Sequence, residues 1–376
     1  MSENKYNDAF FEKFEKMYSN TVEHIRREPI KRQVYKPDAA AVKVKKSKKK
    51  AKKGVIAAVS AVLAVAILTA GTVFVTKNVK NKNKTQPTEE AIPVVATAEE
   101  KYPYPKTDGD IKKIGKFIKS EYAVLVNVKD NAVVAGKNYD KKISPASLTK
   151  ILTLLVAVEN CQNLDDTFTI TTDITDPLFI ARASVAGFLN NETVTVRDLL
   201  YGAILPSGAD ATAALSIYTA GSEKKFAQMM TEKAKEIGLK NANFTNSSGL
   251  YGEKHYCTVL DMAQILKVAM ENNTCRQVLS AVNYTTTKTK QHPDGITLTS
   301  TLFSRMVGDE CVGAKIISGK TGYIDEAGNC IASYAVSDDG TPYVFVTTNA
   351  KGKWNAVFDH INVYSKYVGK SDKVIK

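Results

Sequence analysis

A serine hydroxyl becomes an effective nucleophile when a neighbouring base takes its proton, and a lysine can be that base if it is held neutral. Ser147 and Lys150 carry those two groups three residues apart, a spacing that places both side chains on one helix face. Ser144 reads as an N-cap and Pro145 as the first helical residue, so Ser147 falls in the first turn, where backbone N–H groups lack intrahelical partners. The run Ile151 to Val158 is apolar almost all round, the pattern of a helix buried in a core. A lysine entering such a core loses much of its preference for the ammonium form. Ser-x-x-Lys by itself is weak here, because it recurs at Ser2/Lys5, Ser47/Lys50 and Ser222/Lys225. The Ser147 copy is set apart by its cap, its proline and its apolar continuation.

Two later stretches carry groups that suit the same chemistry. Ser207-Gly208-Ala209 follows a helical run, Arg197 to Leu205, that is stopped by Pro206, and Lys320-Thr321-Gly322 occurs once in the chain. Taken singly, the first is an ordinary turn and the second an ordinary strand end. His255 reads as a helix-entry or surface histidine. The five cysteines show no Cys-x-x-Cys and no paired histidine spacing, so no metal site is expected, and they read as small buried hydrophobes.

Elements must hold these groups. Tyr122 to Val128, a turn at Lys129-Asp130-Asn131, and Ala132 to Ala135 read as a strand pair. Residues 160 to 300 read as mostly helical, with helices near 223–237 and 258–272. Lys315 to Gly322, Cys330 to Val336 and Tyr343 to Thr348 form three further strands, and a closing helix presents Trp354, Val357, Phe358, Ile361 and Tyr364 on one face. The expected fold is α/β: a largely antiparallel sheet flanked by helices, with a helical insertion.

The net charge of +13 suggests a nucleic-acid binder until its position is examined. Residues 1–53 hold 16 Lys+Arg against 7 Asp+Glu, 77–84 add four lysines, and from 85 onward each sign numbers 32. The large domain is neutral, and nucleic acid is excluded as a partner. The excess flanks Val55 to Thr76, an uncharged run long enough to span a ~30 Å hydrocarbon core. The positive-inside rule then gives 1–53 as a cytoplasmic basic tail, 54–76 as a single transmembrane helix, 77–110 as an extracytoplasmic linker and 111–376 as the catalytic domain outside the cell membrane. In the tail, Phe11, Phe14, Tyr18, Val22 and Ile25 recur at helical spacing, a stripe suited to a cytoplasmic partner or to membrane lipid.

In order and context, Ser147-Leu148-Thr149-Lys150, Ser207-Gly208-Ala209 and Lys320-Thr321-Gly322 resemble the motif set of the D-alanyl-D-alanine carboxypeptidases, the low-molecular-weight penicillin-binding proteins. The resemblance runs over about residues 115 to 368 and takes in Phe244 to Leu250, His255-Tyr256-Cys257-Thr258 and Tyr323. It implies the DD-peptidase fold, which the serine β-lactamases share, and a peptidoglycan pentapeptide as substrate. Ser147 would attack the carbonyl between two D-alanines, while Lys150, neutral through burial and the charge of Lys320, would take its proton. Ser207 would relay a proton to the leaving amine. Lys320 and Thr321 would bind the terminal carboxylate, with Gly322 beside them, and the N–H groups of Ser147 and Tyr323 would hold the oxyanion. No cofactor is implied, and β-lactams would be covalent inhibitors.

The chain departs from that pattern. Ala209 stands where the family has asparagine, and Lys351, Lys353 and Asn355 stand where it has an arginine before the last helix. The family's C-terminal β-domain has no counterpart before Lys376, which leaves tethering to the N-terminal segment. A methyl group at 209 neither accepts nor donates, so the sequence predicts a weak carboxypeptidase that still acylates and that Ala209→Asn would speed. Two other classes share the nucleophile: a serine β-lactamase, for which no class A Glu-x-x-x-Asn segment follows Ser207, and a non-catalytic wall-peptide binder.

Overall fold

The computed structural model describes residues 101–306 and 311–371. The tail, the apolar segment 54–76 and linker residues up to 100 lie outside them. β1 (Lys112–Lys113), β2 (Tyr122–Asn127) and β3 (Ala132–Lys137) come first, then a 3₁₀ turn (Ala146–Leu148) continued by α1 (Thr149–Asn160). Next follow β4 (Thr167–Thr169), α2 (Thr172–Ile180), β5 (Thr193–Thr195), α3 (Val196–Ile204), α4 (Ala209–Ala220), α5 (Glu223–Glu236), α6 (Val259–Glu271) and α7 (Asn273–Ser280). β6 (Asn283–Thr285), β7 (Thr297–Thr299), a 3₁₀ turn (Phe303–Arg305), β8 (Ala314–Ile324), β9 (Gly328–Ser337), β10 (Pro342–Ala350) and α8 (Lys353–Tyr367) complete the described chain.

The six-stranded sheet has the order β1-β3-β2-β10-β9-β8 and is antiparallel except for the short β1, which runs parallel to β3. Side chains alternate across it because successive residues of a strand point to opposite faces. In β2, Val124 and Val126 enter the core shared with the helices, while Ala123 and Leu125 enter a second core closed by Val363 and Tyr364 of α8. Both faces are therefore covered, which is why β2 reads as an unbroken apolar run. In the helical part α1 packs against α3, α4, α5, α6 and α7, and α6 lies on β2, β9 and β10. Burial of α1 by five neighbours explains its near-uniform apolarity.

Several expectations need correction. The stretch 160–300 also contains two ribbons, β4–β5 and β6–β7, each of three-residue strands too short to leave a period in the sequence. Trp354 is half exposed and does not share the buried face of α8. Residues 102–106, read as part of a linker, are docked on the domain. Tyr104 donates to Asp261 at 2.8 Å, and the carbonyls of Tyr102 and Pro103 accept from Gln264 at 3.1 Å and Lys267 at 2.6 Å. Prolines in this strap read as linker composition, yet their carbonyls remain good acceptors. All five cysteines are free, and Cys257, Cys275 and Cys330 are buried. Among the described residues no helix is long and apolar enough to cross a membrane.

Candidate active site

The turn that carries Ser147 differs from the expected capped helix. The Ser144 hydroxyl is buried without a partner, Ala146 takes a left-handed φ of 49°, and α1 proper starts only at Thr149. Two glycines let remote backbone close on this turn. A Cβ on Gly249 would lie 1.8 Å from the Ala146 carbonyl oxygen, and one on Gly322 would lie 3.1 Å from the Ser147 nitrogen. The loop at 249 and strand β8 thus approach the turn from two sides; a side chain at 249 is excluded, and one at 322 fits only if the turn gives by a few tenths of an ångström. The functional consequence survives: the 3₁₀ turn runs straight into α1 and leaves Ser147 and Lys150 in contact.

Lys150 is 2 % exposed and donates from Nζ to Ser147 Oγ at 2.9 Å and to the Ser248 carbonyl at 2.6 Å. Burial lowers its pKa to about 7, against the opposing charge of Asp210. The ammonium and free-amine forms are thus near balance at neutral pH, as a general base requires. The sequence reading also expected repulsion from Lys320, and the two lysines do repel: Lys320, 1 % exposed, is pushed well below its ordinary pKa by burial, then by Lys150 and by Arg305. A carboxylate arriving among these cations would raise their pKa values again.

The acceptor for Lys150 belongs to a loop fastened at many points. Asn246 Oδ1 takes the N–H groups of Ser248 at 3.2 Å and Gly249 at 2.7 Å, while Thr153 donates to the Ser247 carbonyl at 2.6 Å. Glu223 holds the Ser247 hydroxyl at 3.0 Å. His255 is buried just ahead of Thr258, the N-cap of α6, which fits the helix-entry reading and not the surface one. Its Nδ1 accepts from the Thr245 N–H at 3.0 Å, so the proton sits on Nε2, which lies 2.9 Å from Thr149 Oγ1 and donates to it. Burial keeps the ring neutral by lowering its pKa to about 4.

β8 is the sheet edge, so every second backbone group on its outer side is free of β9 and available to the cleft. The cleft has a volume of about 400 Å³ and is lined by Ser147, Lys150, Ala209, Ser248 and Tyr323, among others. Lys320 Nζ donates to the Thr321 carbonyl at 2.9 Å, and the Thr321 hydroxyl bonds that of Thr301 at 2.7 Å. Tyr323 is exposed, with its phenol donating to Asp325 at 2.7 Å. Ser207 has a φ of 70° in the buried loop before α4. Among the described residues its hydroxyl makes no hydrogen bond to Ser147 or Lys150, and it is not one of the residues that line the cleft. Asp210 points away from the cleft and takes the N–H groups of Ala186, Gly187, Phe188 and Ala211. Among the described residues no three or more His, Cys, Asp or Glu side chains are grouped to hold a metal ion.

Sequence reasoning missed Arg305, half-buried on the 3₁₀ turn after β7, because a lone arginine outside any motif carries no signal. It also missed the Ser248 carbonyl, since a backbone acceptor is invisible in a list of side chains.

Comparison with known proteins fits this geometry. The family described as D-alanyl-D-alanine carboxypeptidase matches residues 111–352. The D-alanyl-D-alanine carboxypeptidase DacF of Bacillus subtilis is 31% identical over 219 residues, covering 57% of this chain and 53% of that protein. A Streptomyces D-alanyl-D-alanine carboxypeptidase is 36% identical over 156 residues, 40% of this chain and 54% of that one. The chain thus spans about half the length of the curated relatives it matches. The crystal structure of a Streptomyces DD-transpeptidase superposes with a TM-score of 0.61 at 29% identity, over 68% of this chain and 99% of that one. Penicillin-binding protein 5 of Haemophilus influenzae gives a TM-score of 0.58 at 25% identity, over 66% and 70%.

Proposed function

The chain belongs to the D-alanyl-D-alanine carboxypeptidase family, and from that premise we propose that it removes the terminal D-alanine from peptidoglycan pentapeptides through an acyl-enzyme on Ser147. The observation that carries this reading is the 2.9 Å contact between Ser147 Oγ and a buried lysine whose pKa is brought down to about 7. Ser147 Oγ attacks the carbonyl between the two D-alanines, and its proton passes to Lys150 Nζ. The C–N bond then breaks, D-alanine leaves as the free amine after taking up a proton, and water hydrolyses the ester. Ser207 is assigned the relay to that amine, a role that needs its hydroxyl to turn toward Lys150 when substrate binds. The carboxylate of the leaving residue lies with Lys320, Thr321 and Arg305. The oxyanion takes the N–H groups of Ser147 and Tyr323, and Gly322 leaves room for it.

β-Lactams would acylate the same serine. The neutral domain, the charge-flanked segment 54–76 and the basic residues before it support a single-pass anchor with the domain outside the cell membrane and the tail inside. The tail stripe from Phe11 to Ile25 would meet a cytoplasmic partner or the lipid surface. The test is incubation with labelled penicillin and mapping of the modified residue, alongside D-alanine release from a pentapeptide. Label on Ser147 with release of D-alanine is expected; label elsewhere in the domain would overturn the assignment.

A further inference from the structure

Position 209 lines the cleft with a methyl group, and neither neighbour in the motif makes up for it. Asp210 has its carboxylate committed to the N–H groups of Ala186, Gly187 and Phe188. Ser207 makes no hydrogen bond to Ser147 or Lys150 among the described residues. The loop after α2 does come to position 209, however: the Ala209 N–H donates to the Ser184 carbonyl at 2.7 Å. Gly208 allows this approach, since a Cβ there would lie 2.7 Å from the Ala186 nitrogen. Ser184 is consequently clamped beside Ala209 by one backbone bond and by three bonds from the next residues of its own loop to Asp210. It is exposed, lines the same cleft as Ser147, Lys150 and Ala209, and its hydroxyl has no hydrogen-bond partner among the described residues.

We infer that Ser184 supplies, from beside Ala209, the hydrogen-bonding group that position 209 lacks, and that it positions the backbone of the bound peptide next to the scissile bond. The inference rests on the acyl-transfer reading of Ser147. A hydroxyl both donates and accepts, as a side-chain amide does, whereas the guanidinium of nearby Arg182 only donates. The shorter reach of serine is offset by its place on a loop that leans over Ala209. The group is a positioning residue and takes no part in bond making.

The test is D-alanine release by the full-length protein in four forms: wild type, Ser184→Ala, Ala209→Asn and the double variant. Loss of one neutral hydrogen bond gives about a three- to tenfold fall in kcat/KM for Ser184→Ala. The same change in the Ala209→Asn background should cost less than about twofold, because the amide then does the work. Should Ser184→Ala fail to fold, the Ser184→Thr and Ser184→Val pair, which differs by a hydroxyl against a methyl, replaces it, with the threonine form the faster. An equal loss in both backgrounds, or none in either, overturns the role of Ser184 if penicillin still labels Ser147. Absence of that label in the wild type overturns the acyl-transfer reading instead, and this inference with it.

Discussion

In the proposed mechanism Lys150 sets the pH response of the site. Its folded pKa of about 7 lies below the ordinary 10.5, so the neutral base gains population as pH rises through about 7. The rate of acylation by penicillin should rise across pH 6 to 8 and level off above, and Lys150→Arg, charged throughout, should abolish it. A pH-independent rate would show that another group takes the proton. Linkage has a definite sign here. Between pH 7 and 10.5 the unfolded chain holds a proton on this lysine that the folded protein lacks, so this group's contribution to stability increases with pH through that window. Gly322 is decisive for a different reason. A methyl there would sit about 3 Å from the Ser147 nitrogen, in the space the oxyanion needs. Gly322→Ala should therefore slow acylation by about a hundredfold or more, with the thermal midpoint little changed. A mild loss would place the oxyanion elsewhere.

At the scale of elements, the 245–250 loop acts as the back wall that aims Lys150, and His255 ties it to α1. Replacing His255 by alanine strips the Thr245 N–H and the Thr149 hydroxyl of their partners, a cost of about 2 kcal/mol and several degrees in Tm. Glutamine offers an acceptor and a donor of its own, so His255→Gln should restore most of the stability and most of the acylation rate. Wild type and His255→Gln also part in acid. The folded pKa of His255 is about 4 against 6.5 for the free ring, so its contribution to stability is full above pH 6.5 and declines as pH falls toward 4. Thermal unfolding from pH 7 to 4 should show a shallower decline for His255→Gln than for the wild type. An identical decline would assign the acid sensitivity to groups other than His255; Asp210 and Asp359, whose carboxyls burial raises, change stability in the opposite direction.

For the whole molecule, the prediction concerns topology. With the positive excess confined to the tail and the flanks of 54–76, protease added to intact protoplasts should degrade the domain and spare residues 1–50. Protection of the domain would reverse the proposed orientation. The domain presents Phe179 at 85 % exposure and Ile180 at 81 % near the cleft-lining residues 181–184. This end of α2 has few apolar neighbours to hold it, so cleavage is expected there before the sheet is attacked.

Much of this was legible in one dimension because its causes are local. The apolar runs of β2, β9 and β10, the helical periods of α3, α5 and α6, and the single Lys320-Thr321-Gly322 are written in neighbouring residues, and three short motifs singled out Ser147, Lys150 and Lys320 as candidates. The charge distribution, too, is a property of the chain alone. Contacts between distant segments were not legible. The left-handed Ala146 sits where the backbones of Gly249 and Gly322, more than a hundred residues away, close on the turn, and a local cap rule, blind to both, pointed to Ser144 instead. For His255 the sequence left helix entry and surface both open, because its burial depends on Thr149 and Thr245 closing on both ring nitrogens. Arg305 and Ser184 carry no motif, and folding alone sets one beside Lys320 and the other beside Ala209. Local preference names the groups that can do the chemistry, but the burial and approach of remote backbone, which set their pKa values and their reach, exist only once the sheet and the helices have packed.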